Sequence, residues 1–182
     1  MQYLLLTQLG DPVLRAKNKK LSVSEIRSNK IQKLIADMFY TVRKVHGVGL
    51  AAPQVGKNIQ LAIIDIQETP TRPNLKPYPK KVIINPRIIE PTGTSTSAQQ
   101  KTATDWEGCL SFNTIRGTVT RPNSITVEYL DEHGTKHTET VSGFPARVFQ
   151  HEIDHLRGFV FIDRMKDMRT LMTLEEFINR IV

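Results

Sequence analysis

The stretch SGFPARVFQHEIDHLRG, residues 142–158, restricts the fold of this chain more than any other segment. Ser142 can cap the start of a helix, Pro145 suits a first helical turn, and Gly158 favours a helix end. Apolar neighbours such as Ile153 indicate that the helix packs against the protein and is not wholly solvated. We therefore predict a helix of roughly three to four turns.

This helix carries HEIDH (151–155), which has the form H-E-x-x-H. Positions i and i+4 share one helix face with Cβ atoms about 5–6 Å apart, so His151 and His155 can reach one metal ion. Glu152 lies about 100° further round, where it can border an open coordination position and take a proton from water. The motif also arises by chance, since two histidines spaced this way on a charged helix can simply be solvated.

A catalytic metal needs a third protein ligand and keeps one position for water. In one class of H-E-x-x-H metalloproteases this ligand is a glutamate further along the chain, and Glu175 and Glu176 lie at a suitable separation. The alternative is Cys109, because a thiolate and two imidazoles make a soft three-ligand site. Cys109 is the only cysteine, so no intramolecular disulfide can form, and a lone thiol can equally be a small buried hydrophobe. Both ligand sets stay open on this reasoning.

Residues 47–56, GVGLAAPQVG, form a stretch of small residues. They match a phosphate-binding loop poorly, because the closing Gly-Lys is followed by Asn58 where that motif needs serine or threonine. A helix cap at Gly47 and a tight turn would explain the glycines structurally. Alternatively, the small residues let the backbone approach a substrate, and Gln54 points its amide into the cleft.

Hydrophobic periodicity and turn residues predict the remaining elements. They are a helix over 24–46, strands over 61–66, 82–84, 125–131, 135–141 and 159–163, loops over 67–81 and 92–104, and a closing helix over 171–181. The strands on either side of residue 133 form a hairpin. The predicted class is α+β, with helices packed on mostly antiparallel strands, in a single domain over residues 1–182.

Charge and hydropathy narrow the classes of function. The net charge of +7 favours contact with polyanions such as RNA, but the basic residues are scattered among acids and form no RNA- or DNA-binding motif. A basic binding module with a structural metal site is the non-enzymatic alternative. No apolar run approaches a membrane span, we expect no secretory leader because the first residues lack its basic start and cleavage site, and a lone thiol fits a reducing compartment. We expect a cytoplasmic protein that binds neither DNA nor a membrane.

Three motifs in order resemble the signature of the peptide deformylases. They are GVGLAAPQ (47–54), EGCLS (107–111) and HEIDH (151–155), within a resemblance that spans residues from about 8 to 165. Each motif alone is moderately specific, whereas their order and separations together are highly specific. The resemblance implies a compact α+β domain with antiparallel strands around a central helix that carries the two histidines. It also implies hydrolysis of the N-terminal formyl group from formyl-methionine of newly made polypeptides, with release of formate.

The resemblance assigns the metal chemistry residue by residue. Cys109, His151 and His155 would hold one divalent metal ion, expected to be iron(II), for which zinc, nickel or cobalt can substitute. Glu152 would be the general acid and base. The partners implied are formyl-methionyl peptides and nascent chains, with a transient contact at the ribosome.

The same resemblance gives roles in substrate binding. The Gln54 side chain and the Leu110 backbone N–H would stabilise the oxyanion, and Gly49 would hydrogen-bond the substrate backbone. The methionine side chain needs an apolar pocket. Its predicted lining is Val48, Phe144 and Val148.

The chain departs from the family pattern at two places. Phe-Asn (112–113) follows C-L-S where an aliphatic residue and proline are usual, so selectivity beyond the methionine is open. Arg147 replaces a residue that is often aliphatic, and we expect its stem to cover apolar surface while its head stays in water. Near the ligands, we expect Glu107 to pair with Arg121 or with a ligand histidine, and Asp154 to be structural.

Overall fold

Four α-helices, eight strands and five short 3₁₀ helices make up the regular structure of the described residues, which are 1–68, 74–89 and 101–182 of a computed structural model. The helices are α1 (Val23–Ile26), α2 (Asn29–Lys44), α3 (Gly143–Leu156) and α4 (Leu174–Arg180). The strands are β1 (Gly49–Ala51), β2 (Leu61–Ile64), β3 (Lys81–Ile89), β4 (Thr102–Glu107), β5 (Ile115–Pro122), β6 (Ser124–Leu130), β7 (Lys136–Ser142) and β8 (Met172–Thr173). No helix in these described residues is long and apolar enough to cross a membrane.

The strands form two antiparallel sheets, one in the order β1-β2-β3-β6-β7 and the other in the order β4-β5-β8. β2 is buried on both faces, because its side chains alternate between two apolar clusters. Ala62 and Ile64 pack with Phe149 and other residues of α3, whereas Leu61 and Ile63 pack with residues of α2. The predicted α+β class with antiparallel strands is confirmed.

α3 begins and ends at glycines whose backbone φ is positive. Gly143 (φ 66°) opens the helix, and Gly158 (φ 82°) follows its end. A Cβ at Gly158 would lie 2.7 Å from a backbone carbonyl oxygen of the N-terminal segment, so a larger residue has neither the conformation nor the space. Ser142 occupies the cap position, but its hydroxyl donates to Ser124 Oγ at 2.9 Å. The predicted side-chain cap by Ser142 is therefore wrong.

The helix predicted over 24–46 is two helices, α1 and α2. The break occurs because the Ser28 hydroxyl caps a new helix start by accepting from a backbone N–H in the first turn of α2. At the far end the left-handed residue is His46 (φ 53°), one position before the Gly47 that was predicted to cap the helix. The Gly47 N–H instead donates to the Val42 carbonyl at 2.8 Å, which satisfies one of the last carbonyls of α2.

Several predicted elements are present with shifted ends. These are the strands over 61–66 and 82–84, the hairpin of 125–131 and 135–141, and the closing helix over 171–181. Of the loop predicted over 67–81, residues 69–73 lie outside the described ones, and its last residue already belongs to β3. β3 is longer than predicted because it pairs with both β2 and β6.

The loop predicted over 92–104 is wrong at its end. Residues 92–100 lie outside the described ones, but 102–104 form the start of β4. Their small side chains, two of them threonines, do not prevent pairing with β5, and the hydroxyls of Thr104 and Thr120 lie 2.8 Å apart across the two strands. Threonine favours strands, so a polar composition alone was a poor sign of a loop.

The strand predicted over 159–163 is also wrong. Phe161–Arg164 form a 3₁₀ turn, and the Asp163 carboxylate accepts from a backbone N–H at its start at 2.8 Å. Val160 and Phe161 are buried, each at 1% relative exposure, whereas Phe159 is exposed at 41%. Burial explains the apolar pattern, whereas the aspartate favours a turn over an extended strand.

Candidate metal centre

Three side chains that could bind a metal converge beside α3. His151 and His155 lie one turn apart on the helix, and Cys109 follows the end of β4. Cys109 Sγ is 3.3 Å from Nε2 of His155, which is 3.2 Å from Nε2 of His151. The three ligand atoms all lie within 4.8 Å of one another. The structure thus brings together the three residues predicted as ligands.

The spacing of these atoms suits a divalent ion. A tetrahedral site holds nitrogen at about 2.0–2.1 Å and sulfur at about 2.3 Å from the metal, which separates ligand atoms by roughly 3.3–3.6 Å. The observed separations of 3.2 and 3.3 Å are close to this range. A thiolate with two imidazoles is also a donor set that zinc and the divalent transition metals accept. The residues therefore fit a metal ion.

The alternative third ligands, Glu175 and Glu176, lie on α4 and are not part of this cluster. Glu176 instead accepts from Arg180 at 2.5 Å on the exposed side of the helix. Cys109 is the side chain that completes a three-ligand group within the described residues.

Glu107 orients one of the two histidines. Its Oε2 lies 3.0 Å from His151 Nδ1, which leaves Nε2 of that ring facing the other ligands. Arg121 donates to both carboxylate oxygens, at 2.6 and 2.9 Å. Burial would raise the pKa of Glu107, but hydrogen bonds from Arg121 and His151 outweigh it and hold that pKa well below its ordinary value. Glu107 therefore stays ionised and contacts both of the partners expected for it.

The head of Arg147 is buried, contrary to the prediction that it stays in water. The residue has 6% relative exposure and donates to Glu107 Oε1 at 2.7 Å. It also donates to backbone carbonyls of β4 and β5 at 2.7 and 2.9 Å. A buried carboxylate needs charged or hydrogen-bonded partners, and Arg147 is one of them. Asp154 accepts from Arg121 and Arg164 at 2.8 and 2.5 Å, as a structural residue would.

Glu152 lies next to a ligand in sequence and has 4% relative exposure. Its Oε2 has no hydrogen-bond partner among the described residues. Burial is the main cause that raises the pKa of Glu152 to about 7; the charge of Glu107 adds to it, and those of His151 and Arg121 oppose it. A carboxyl group with such a pKa can both accept and return a proton near neutral pH.

Gly49 on β1 provides the space that Glu152 occupies. A Cβ on residue 49 would lie 2.5 Å from Glu152 Oε1 and 3.0 Å from its Cγ. Real Cβ atoms do not approach so closely, so any larger residue would force the glutamate to move. The glycine predicted to bind substrate therefore also determines where the carboxylate lies.

Replacing Gly49 by alanine should displace the Glu152 carboxylate and leave the three ligands in place. We expect kcat/KM to fall by roughly 10²-fold, because a shift of about 1 Å in a catalytic group has that effect. Metal content per protein, measured on the same sample, should stay at the wild-type level. Wild-type kinetics in the alanine variant would contradict this close approach.

Gln54 presents its amide N–H₂ to the ligand cluster. Its Oε1 accepts from the Ala51 backbone N–H at 2.8 Å, so its Nε2 is directed to Cys109 Sγ, 3.4 Å away. The side chain is buried and its orientation is fixed by this pair of contacts. Leu110 directly follows the cysteine and lines the same cavity. Gln54 thus holds a donor ready beside the cluster, as an oxyanion-binding role requires.

A cavity of about 280 Å³ opens beside the cluster. Its lining includes the predicted pocket residues Val48, Phe144 and Val148, and also Gly49. It also includes four apolar residues that the motifs do not identify, namely Trp106, Phe177, Ile181 and Val182. Trp106 lies just before EGCLS, so its position was a usable signal. The pattern of α4 shows that it has an apolar face but not where that face docks.

Comparison with known proteins identifies the family. Residues 4–170 match the family model described as polypeptide deformylase. Peptide deformylase 2 of Nostoc sp. is 41% identical over 176 residues, which cover 97% of this chain and 93% of that protein. Among solved structures, a Met-Ala-Ser-bound class I type b peptide deformylase from Acinetobacter baumannii has a TM-score of 0.82 at 33% identity, covering 90% of this chain and 98% of that one.

A second solved structure gives the same result. The peptide deformylase from Thermotoga maritima has a TM-score of 0.77 at 34% identity, and the likeness covers 92% of this chain and 100% of that one. Sequence and fold therefore agree over nearly the whole length of both relatives. Together with the family match and the cluster beside α3, they show that this chain belongs to the peptide deformylase family of metal-dependent enzymes.

Proposed function

We propose that this chain removes the formyl group from the N-terminal formyl-methionine of newly made polypeptides and releases formate. One observation carries the proposal. The Cys109, His151 and His155 cluster lies at a cavity of about 280 Å³, beside a buried glutamate and a fixed amide donor. The family supplies the reaction class, and residues 1–182 act as one catalytic domain in this proposal.

Cys109, His151 and His155 are the residues that would hold the metal ion. A bound divalent ion supplies Lewis-acid chemistry, polarising a carbonyl and making water acidic near neutral pH. A thiolate with two imidazoles accepts iron(II), zinc, nickel or cobalt, and the family resemblance favours iron(II) as the native ion. Glu107 supports the site by orienting His151.

Glu152 moves the proton. Its carboxylate accepts a proton from the water whose oxygen attacks the formyl carbon. The C–N bond then breaks, and the same carboxyl group returns the proton to the departing amine nitrogen, so that formate and a free N-terminus are the products. The raised pKa of Glu152, about 7, suits both halves of this transfer.

Gln54 and Leu110 stabilise the negative oxygen that develops on the formyl carbon. The Gln54 amide and the Leu110 backbone N–H are the two donors, and one such donor contributes about 2.7–4 kcal/mol. Gln54 needs no reorientation, because its Oε1 is already held by a backbone N–H. A neutral amide donates without adding a charge that would compete for the metal.

The substrate lies along β1 with its methionine in the apolar part of the cavity. Among the described residues β1 is an edge strand of the five-stranded sheet, so the backbone of Gly49 has one side that can pair with a peptide. The pocket for the methionine side chain is formed by Val48, Phe144 and Val148, which line the cavity. The Acinetobacter relative was solved with a Met-Ala-Ser peptide bound, which supports a peptide in this cleft.

Nascent chains are the proposed partners, and the cytoplasm is the proposed compartment, because formylated N-termini arise during protein synthesis. The net charge of +7 supports a transient contact with ribosomal RNA. Neither DNA nor a membrane is part of the proposal.

Formate release from three substrates tests this proposal. Metal-loaded protein should hydrolyse formyl-Met-Ala-Ser, and should act on acetyl-Met-Ala-Ser more slowly by roughly 10-fold or more, because the extra methyl group crowds the reacting carbonyl. An unformylated protein substrate should remain uncut. Metal analysis of the same sample identifies the ion. Comparable cleavage of internal peptide bonds would instead support a metalloprotease.

A further inference from the structure

The cavity beside the metal cluster has further apolar lining besides the residues of the proposed methionine pocket. It includes Trp106 on β4 with Phe177 and Ile181 from the α4 region. The Trp106 and Phe177 rings meet edge to face, with centroids 5.4 Å apart. Phe177 has 9% relative exposure, whereas Ile181 has 48% and presents apolar surface at the cleft. We call these three residues the α4 wall.

The α4 wall is fixed to the body of the protein by the backbone. β8 pairs with β5, and the N–H of Leu174 donates to the Thr114 carbonyl at 2.7 Å. Thr173 caps the helix, since its Oγ1 accepts from the Glu176 N–H at 3.2 Å. The wall is therefore a preformed part of the cleft.

The position of Trp106 on β4 indicates which residue of a substrate the α4 wall can contact. Trp106 precedes the ligand Cys109 by three residues, a separation of about 10 Å in extended chain. An extended peptide with its formyl carbon at the cluster covers the same distance with its first two or three residues. The side chain beside the wall then belongs to the second or third residue of the substrate.

Two of the three residues of the wall lie beyond the match to the family model. The match to the family model ends at residue 170, whereas Phe177 and Ile181 follow it.

We propose that the α4 wall is a subsite for an apolar side chain at the second or third residue of the substrate. This proposal rests on the proposed deformylase function and narrows its substrate class. The enzyme prefers formyl-methionyl chains with a residue such as leucine there over chains with serine. Burial of that side chain against Phe177 and Ile181 supplies the preference.

The test compares kcat/KM within two pairs of peptides, using the full metal-loaded chain. One pair is formyl-Met-Leu-Ser and formyl-Met-Ser-Ser; the other is formyl-Met-Ala-Leu and formyl-Met-Ala-Ser. We expect leucine to be preferred by roughly 10-fold or more in one pair, as is typical for an apolar group entering a pocket. Ile181→Ser and Phe177→Ala should each lower that ratio by at least roughly threefold.

Ile178→Ser is the matched control. Ile178 lies on the same helix with 47% relative exposure, nearly that of Ile181, but does not line the cavity. Its leucine-to-serine ratio should equal that of the wild type. Because Ile181 is exposed, its serine variant should fold even if Phe177→Ala does not, and circular dichroism checks both.

The outcomes separate the two proposals. Absence of formate from all four peptides would overturn the deformylase function itself. Formate release with equal rates on leucine and serine peptides in the wild type would overturn the subsite alone. A strong preference that Ile181→Ser leaves unchanged, or that Ile178→Ser lowers equally, would also overturn it.

Discussion

Glu152→Gln is expected to fold and to bind metal as the wild type does, but to release formate at least ~10²–10⁴-fold more slowly. Glutamine has nearly the same volume and can still hydrogen-bond water, but it cannot carry a proton. The effect should be large because Glu152 Oε2 has no hydrogen-bond partner in the described residues. No other group of those residues is therefore hydrogen-bonded to this oxygen and placed to transfer the proton in its stead. The measurements are metal content and formate release on the same purified variant.

Glu176→Gln serves as the matched control for this change. Glu176 is paired with Arg180 on α4, outside the ligand cluster. It should keep wild-type kinetics and metal. If Glu152→Gln lost its metal, Glu152 would be a ligand; if it kept near-wild-type turnover, the proton would travel through another group.

Removal of a metal-ligand side chain should lower metal content as well as activity, unlike Glu152→Gln. Cys109→Ala, His151→Ala and His155→Ala should each bind metal much more weakly, because each removes one of only three protein ligands. Activity should fall with metal content, in contrast to Glu152→Gln. Metal bound per protein is measured after gel filtration, and circular dichroism checks that the variants fold.

The cysteine variant also separates this site from the metalloprotease alternative. With Glu175 or Glu176 as third ligand, Cys109→Ala would keep its metal and the corresponding glutamine variants would lose theirs. The 3.3 Å contact between Cys109 Sγ and His155 Nε2 leads us to expect the reverse. A Cys109→Ala protein with a full complement of metal would contradict the assignment.

The parts of the site that could be predicted are those set by local spacing. Two histidines four residues apart on a helix share a face whatever the rest of the fold does, and Pro145 and Gly158 marked the extent of that helix. The choice between Cys109 and a downstream glutamate could not be made this way. It depends on how β4 packs against α3, which is a contact between segments far apart in sequence.

The buried charges and the α4 wall of the cleft were harder to predict for the same reason. From the sequence, Arg147 is an arginine on a helix and would be expected to face solvent. Its burial follows from its ion pair with the Glu107 carboxylate, which only the tertiary structure places beside it. Phe177 looks like an ordinary core residue of a short helix. Its location in the cleft follows from the pairing of β8 with β5. A strand of two residues is too short to be predicted from its sequence pattern.

The wide separation of the ligands along the chain also links metal occupancy to folding. Cys109 lies after β4 and both histidines lie on α3, so the three ligand atoms meet only when the two sheets have docked around that helix. An ion that binds the native state and not the unfolded chain adds about 2.7 kcal/mol at one hundred times its dissociation constant. The unfolding midpoint of this enzyme should therefore rise with free metal concentration, and a chelator should act as a denaturant as well as an inhibitor.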